Sequence, residues 1–304
     1  MVIVTGGLGF IGNELVRQLK SSGEEVVILD NKNRIAPHIQ DIQNVSLAEI
    51  DITDHAMVTA FFREVKPSAV FHMAAIHYIP ECNDNPERTL RVNAEGTQSI
   101  LRAAAAAGVN KVVFASSGAV YADSAGLLSE STPIAPVDIY GWSKLFGEQL
   151  CQLNHSLNGT TTVIARLFNN YGPRETNPHI IPEILRQLQS TSQLQLGNIS
   201  TVRDYIHTRD CAQALIRLWK SCNSGVSTVN VATGKGFTVH EIINMIGKIA
   251  GRTIDVKFDN TRVRRFDKQT QVASIDTLKQ LTGWTPQVNI EEGLTDLLRF
   301  EKLI

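Results

Sequence analysis

Thr5-Gly6-Gly7-Leu8-Gly9-Phe10-Ile11-Gly12 is the stretch whose reading decides the fold. It follows a short apolar, β-branched run, Val2 to Thr5, and opens a segment with helical spacing of apolar residues from Ile11 to Leu19. Strand, glycine turn and helix in that order make the first unit of a dinucleotide-binding sheet. One glycine makes the tight turn, one lets the backbone approach a pyrophosphate, and one allows helix and strand to pack closely. The helix N-terminus then presents its free N–H groups to the phosphates. Two registers satisfy the pattern, Gly6-x-x-Gly9-x-x-Gly12 and Gly7-x-Gly9-x-x-Gly12. A purely structural turn is the competing reading, and the strand before and helix after weigh against it.

Outward from this turn, Val26 to Leu29 reads as a second strand closing at Asp30. A carboxylate there accepts both ribose hydroxyls and repels a 2′-phosphate, which points to NAD rather than NADP. Asn31 follows it, with Lys32 and Arg34 nearby. A turn aspartate is the alternative. Asp51-Ile52 after the third strand offers a contact to an adenine amino group, with helix capping ahead of Asp54 as the alternative. Ala69 to His72 and Lys111 to Ser116 read as further strands, and Glu87 to Ala107 as a long alanine-rich helix stopped by Gly108.

Strands that are continuously apolar belong to a parallel sheet covered on both faces. With right-handed crossovers, residues 1–168 are predicted to form a doubly wound α/β (Rossmann) domain. Beyond 168 the loops lengthen and Pro173, Pro178 and Pro182 appear. Short strands (Thr228 to Val231, Thr253 to Val256) mix with helices (Val239 to Ala250, Ile290 to Phe300). These predict a smaller α+β lobe over 169–304, across a soft boundary that segments can recross.

Composition narrows the function. The 304 residues carry 29 Lys plus Arg against 30 Asp plus Glu, so no basic excess exists to drive nucleic-acid binding. At 43% hydrophobic and 19% charged the chain is an ordinary globular one. No apolar run is long enough for a membrane span. Cys82, Cys151, Cys211 and Cys222 show no CxxC spacing, and the first strand starts at Val2, so reduced thiols in a cytoplasmic protein are expected. No metal is expected. His240-Glu241 lacks the second histidine of a zinc helix, and the other histidines show no ligand spacing. His72 reads as a strand-end residue near the cofactor.

Of the five tyrosines only Tyr140 has lysine four residues on, at Lys144. Positions i and i+4 share a helix face, so phenol and ammonium can point at one site. A neighbouring cation favours the phenolate of a group whose ordinary pKa is about 10. Ser117, at the end of the Lys111 strand, sits where ligands meet such sheets. An exposed Tyr/Lys pair and a structural serine are the alternatives.

These segments, with HMAA at 72–75, NAEGT at 93–97, SSGAVY at 116–121, YGWSK at 140–144, RLFNNYGPR at 166–174, RDYIH at 203–207 and TGWTP at 282–286, resemble the extended short-chain dehydrogenase/reductase family, the nucleotide-sugar epimerases and dehydratases. The resemblance implies Ser117, Tyr140 and Lys144 as the catalytic residues. It implies that NAD is held by Gly6, Gly9, Phe10, Ile11, Gly12, Asp30, Asn31, Asp51, Ile52, Ala74 and Asn93, together with Tyr140 and Lys144. Asn93 would support the lysine through the helix it sits on. Asn169, Arg203 and Arg264 match positions that hold a nucleotide diphosphate, beside Ser117. Surface ion pairing is the alternative for Arg203-Asp204 and Arg264-Arg265.

The resembling 4,6-dehydratases place an Asp-Glu pair straight after the catalytic hydroxyl residue, and uronate decarboxylases a glutamate at the second of these positions. Here they are Gly118 and Ala119. Return of the hydride to the other face of a 4-keto sugar remains, which makes a UDP-hexose 4-epimerase the expected function. A 4-ketoreductase or other sugar-nucleotide oxidoreductase, a uronate 4-epimerase and a non-catalytic NAD-binding protein are the alternatives. Asn169 and Thr176 stand where uronate epimerases of this type carry threonine and arginine. The 76–82 stretch departs from the usual loop and makes His77 a candidate sugar contact. Helices near 86–107 and 140–153, apolar on more than one face at Leu90, Ile100, Leu101, Leu145, Phe146 and Leu150, predict a homodimer.

Overall fold

The computed structural model describes residues 1–32, 45–124, 126–175, 177–263 and 268–304. Arg34, Thr176, Arg264 and Arg265 lie outside the described residues. The first half alternates β1 (Val2–Thr5), α1 (Phe10–Ser21), β2 (Val26–Asp30), β3 (Ser46–Glu49), α2 (His55–Val65) and β4 (Ala69–His72). It continues with α3 (Ile79–Asp84), α4 (Pro86–Leu90), α5 (Gly96–Ala106), β5 (Lys111–Ser117), α6 (Ile139–Asn158) and β6 (Thr161–Leu167). The second half holds β7 (Asn169–Tyr171), α7 (Ile180–Leu188), β8 (Gln193–Leu196), β9 (Val202–His207), α8 (Thr208–Ser221) and β10 (Val226–Val231). After these come β11 (Gly236–Thr238), α9 (Val239–Ala250), β12 (Asp255–Phe258), β13 (Thr270–Gln271), α10 (Asp276–Thr282) and α11 (Ile290–Phe300).

Seven strands make one sheet in the order β10-β6-β5-β4-β1-β2-β3, every pair parallel. Both faces are covered. Val2, Val4 and Val113 pack on α1 and α8 through Leu15, Leu19 and Leu215, while Ile3, Val112 and Phe114 pack on α2 and α5 through Phe62 and Ile100. The order reverses between β1 and β4, which opens a crevice at their carboxyl ends.

Two sequence expectations change here. Thr228 to Val231, read as part of the second lobe, belongs to β10 and pairs with β6 at the edge of the large sheet. The chain after 168 thus returns to complete that sheet. The strand expected at Thr253 to Val256 runs instead from Asp255 to Phe258 and pairs with β8. The smaller lobe has its own sheet, β11-β9-β13 with β7 on β9, and its own core around Ile181, Ile184, Tyr205, Ile242 and Leu294.

The alanine-rich helix is continuous from 86 to 106, but Arg91–Glu95 within it is a π-helical turn. Such turns gather at functional sites, and this one carries Asn93. Of the residues expected at a dimer face, Ile100 and Leu101 are core, and Leu145 and Leu150 are partly buried against it. Leu90 is partly buried, and Phe146 is exposed. No helix among the described residues is long and apolar enough to cross a membrane.

Candidate active site

The crevice is a cleft of about 370 Å³ whose walls run from Gly6, Gly9 and Gly12 past Ser117, Tyr140 and Lys144 to Asn169 and Arg203. Its first end is built by backbone. Gly6 has φ +67°, and a Cβ there would stand 2.8 Å from the Ala74 backbone. At Gly12 a Cβ would meet the Gly6 carbonyl at 2.1 Å, so strand and helix touch as they do only because position 12 lacks a side chain. Gly7 instead faces Ile28 in the core. The working register is therefore Gly6-x-x-Gly9-x-x-Gly12. α1 begins after Gly9 with no side-chain cap and no acidic residue in its first turn, so its N-terminus is left to an external anion.

Asp30 closes β2 on the cleft wall. Its Oδ2 accepts from Leu8 N–H at 3.1 Å and its Oδ1 from Lys32 N–H at 2.9 Å. Burial raises its pKa, and those backbone bonds work the other way. Lys32 pairs with Glu49 at 2.5 Å. Phe10, Ile11, Asn31, Ile52 and Ala74 line the same end. A glycine cradle, an uncapped helix and a carboxylate at the strand end fit the pyrophosphate and ribose of NAD.

Two expected cofactor contacts are absent from the residues lining the cleft and are engaged by protein groups. Asp51 is not on the cleft wall. Its carboxylate accepts from Thr53 N–H, Thr53 Oγ1 and Asn31 Nδ2 at 2.7–2.9 Å. Burial opposes its charge, yet these bonds hold its pKa below the ordinary value. Asp54 caps α2. Asn93 also stands back from the cleft. Its Oδ1 accepts from Ile76 N–H at 2.8 Å, and its Nδ2 donates to the Ile76 carbonyl at 2.8 Å and to Ser143 Oγ at 2.9 Å. It ties the loop after β4 to the residue preceding Lys144. His72, the last residue of β4, is held between Thr5 Oγ1 at 2.7 Å and Thr97 Oγ1 at 2.9 Å. Burial, then the charge of Lys144, takes its pKa down to about 3.

The middle of the cleft is set by α6. Asp138 caps it, accepting from Gly141 N–H at 2.7 Å, so the helix starts where Tyr140 faces the sheet. A Cβ on Gly141 would meet the Ala119 carbonyl at 2.9 Å, and one on Gly147 the Phe114 ring at 2.3 Å. Two glycines thus bring the helix down on β5 and on the turn that follows it. As a result the Ser117 hydroxyl stands close enough to the Tyr140 phenol to favour its phenolate, and Lys144 Nζ donates to the Ala115 carbonyl at 2.8 Å. The ammonium lies 5.8 Å from the Tyr140 ring centroid. Burial brings the Lys144 pKa down to about 8. Burial raises the phenol above its ordinary value, and the Ser117 hydroxyl partly counters this.

The far end is a meeting of distant segments. Asn169 begins β7 and Arg203 lies in β9, both on the wall. Arg203 is not on the surface. It is buried, and its Nη1 donates to the Val202 carbonyl at 2.8 Å. Asp204 is also buried and spends its carboxylate on Thr233 and Gly234 N–H at 2.8 Å and on Ala273 N–H at 3.3 Å. His77 reaches the wall as expected, joined by residues the sequence reading did not single out: Glu175, His179, Lys268 and Gln271. Lys268 donates to the Ala119 and Tyr121 carbonyls, and Gln271 Nε2 to the Gly118 carbonyl at 3.3 Å. No local motif announces them. Arg264 falls outside the described residues.

A parallel sheet with a dinucleotide cradle at its switch point and a Ser/Tyr/Lys cluster beside it defines an NAD-dependent enzyme of the short-chain dehydrogenase/reductase type. The chain belongs to the NAD dependent epimerase/dehydratase family, whose description matches residues 2–232. It is 30% identical to the UDP-glucose 4-epimerase of Lacticaseibacillus casei, over 94% of this chain and 91% of the relative. It is also 30% identical to the GDP-6-deoxy-D-mannose reductase of Pseudomonas aeruginosa, over 98% and 95%. The structure of Thermus thermophilus UDP-glucose 4-epimerase with NAD superimposes with a TM-score of 0.91 at 30% identity, covering 99% of this chain and 98% of that one. The protein is accordingly an NAD-dependent epimerase-type enzyme.

Proposed function

We propose that the protein interconverts a UDP-hexose and its C4 epimer through a transient 4-keto sugar. The observation that carries this reading is Ser117, Tyr140 and Lys144 gathered on one stretch of the cleft wall, with two residues without acid or base following Ser117 at once. Tyr140 takes the proton of the C4 hydroxyl and returns it, and Ser117 holds the same oxygen. Lys144, with a pKa of about 8, keeps its charge at neutral pH and draws the phenol toward the phenolate. When bound, NAD supplies the hydride acceptor and, in its oxidised form, a further positive charge at the phenol. Gly118 offers no group for elimination, and a Cβ there would press on the Phe168 ring at 3.1 Å. Arg203 and Asn169 hold the diphosphate while the hexose turns; Arg264 is a further candidate. His77, on the cleft wall, is placed to reach the sugar directly or through a bound ion.

The kinship to a GDP-6-deoxy-D-mannose reductase favours a second reading, a sugar-nucleotide 4-ketoreductase. A screen of UDP-sugars without added cofactor separates the two. The epimerase converts UDP-glucose and UDP-galactose, or their N-acetyl forms, in both directions. A reductase does nothing until reduced cofactor is supplied, and that result would replace the proposal.

The active form is a homodimer. Support comes from a stripe along α6, Trp142, Phe146, Leu153 and Leu157, exposed at 47, 51, 51 and 72%. Their spacing of four, seven and four residues keeps them on one helix face. A monomeric mass in solution at micromolar concentration would contradict it. The four cysteines are free and buried, which supports a reducing, cytoplasmic setting.

A further inference from the structure

We infer that His77, Glu175 and His179 form a binding site for one divalent transition-metal ion at the sugar end of the cleft. Each offers a ligand atom, and the three atoms lie within 4.8 Å of one another. All three line the cleft. They come from two segments far apart in the chain, the loop after β4 and the loop between β7 and α7, so only the fold assembles them. The two imidazoles lie 5.6 Å apart between centroids with planes tilted by 32°, and the Tyr78 ring stands edge-on to His179, also at 5.6 Å. His179 is the N-cap residue of α7, and its side chain makes no capping bond.

Ligand chemistry names the ion. Two imidazole nitrogens and one carboxylate suit zinc, cobalt(II) or nickel(II), whereas magnesium and calcium take oxygen. Ligand atoms around a tetrahedral zinc stand about 3.4 Å apart, given bonds of roughly 2.1 Å, so side-chain rotation suffices to close the set. Three protein ligands are the pattern of a site with a position left over. Here that position opens on the cleft, where it accepts an oxygen: water, or a hydroxyl, keto or carboxylate oxygen of the occupant.

An outer shell is present as well. Asn177 is buried, its Nδ2 lies 2.9 Å from His77 Nε2, and its backbone N–H donates to Glu175 Oε1 at 3.0 Å. A carboxamide can meet a ring nitrogen with its oxygen or its nitrogen, so it can hold whichever tautomer ligation needs. Asn177 is a positioning residue for two of the three ligands.

The inference does not depend on which sugar is turned over, and the test uses metal alone. Chelator-stripped, full-length protein carrying NAD is titrated with zinc chloride by calorimetry and with cobalt(II) chloride by visible absorption. One ion per chain is expected, with the d–d bands of four- or five-coordinate cobalt. His77→Gln/His179→Gln should weaken binding by about 100-fold or more, and Asn177→Ala by about 10- to 100-fold. Glu175→Gln provides a single-site check that retains size and polarity. Retained NAD affinity shows that each variant is folded. Zinc binding that is absent from the parent protein, or equal in parent and double variant, overturns the site and leaves an imidazole–carboxylate cluster that meets the sugar directly.

Discussion

The two ends of the cleft are made of different material. At the cofactor end the contacts are backbone and position: Gly6 at φ +67°, Gly12 against the Gly6 carbonyl, an uncapped helix, and Asp30 at a strand end. All lie within one strand–helix–strand unit. At the sugar end the wall is side chains brought from separate segments, His77, Glu175, His179, Arg203 and Lys268. The comparison teaches that most of the cofactor end is built from one contiguous unit, with Ile52 and Ala74 added from its neighbours. The other end exists only where the second lobe meets the sheet, and on the proposed function that is where the sugar is chosen.

Four substitutions sharpen or break that division. The largest effect is expected of Tyr140→Phe, which should lose about 10²- to 10⁴-fold in kcat, the usual share of a general base. NAD should remain bound, and near-parental turnover would take Tyr140 out of the chemistry. Next comes His72, on the cofactor side of the sheet. Its pKa is about 3 when folded against an ordinary 6.5, so between these values the unfolded chain binds a proton that the folded chain refuses. Stability is therefore full above pH 6.5 and falls as the pH drops toward 3. The loss at pH 4 is on the order of 3 kcal/mol. His72→Asn should flatten the Tm–pH curve over that range, and an unchanged slope would assign acid sensitivity elsewhere.

Arg203→Ala tests the other end. Loss of a charge-assisted bond to phosphate should raise KM by roughly 10- to 100-fold, at 1.5–3 kcal/mol, while leaving NAD affinity alone. Equal damage to both affinities would mean that the ends are not separable. The smallest effect is expected of Asp30→Ala, about tenfold in NAD affinity, with a narrower preference over NADP. Equal affinity of the parent protein for the two cofactors would already refute that role.

The same division governs what could be read from the chain. Val2 to Gly12, Asp30 and the Tyr140–Lys144 pair declare themselves through local spacing, because sheet and helix geometry act over a few residues. Asp51 carries two readings, since a carboxylate two residues before Thr53 can close a turn as readily as reach a cofactor, and in the structure it closes the turn. Asn93 stands in the expected place but works through Ile76 and Ser143, a partnership set by a π-helical turn that no periodicity reports. β10 reads with the second lobe, across a boundary left open to such a return, because its apolar run looks the same at the edge of either sheet. Glu175, His179 and Lys268 carried no local signal; each acquires its meaning from residues about 100 or more positions away.

The central claim is that hydrogen leaves C4 and returns to it without visiting solvent. The direct test is to incubate the protein as purified with UDP-galactose in D₂O, without added cofactor, and to follow C4 by proton NMR. The account predicts UDP-glucose with C4 still protiated and no deuterium gained at carbon on either sugar. Deuterium at C4, or an absolute need for added reduced cofactor, would contradict it.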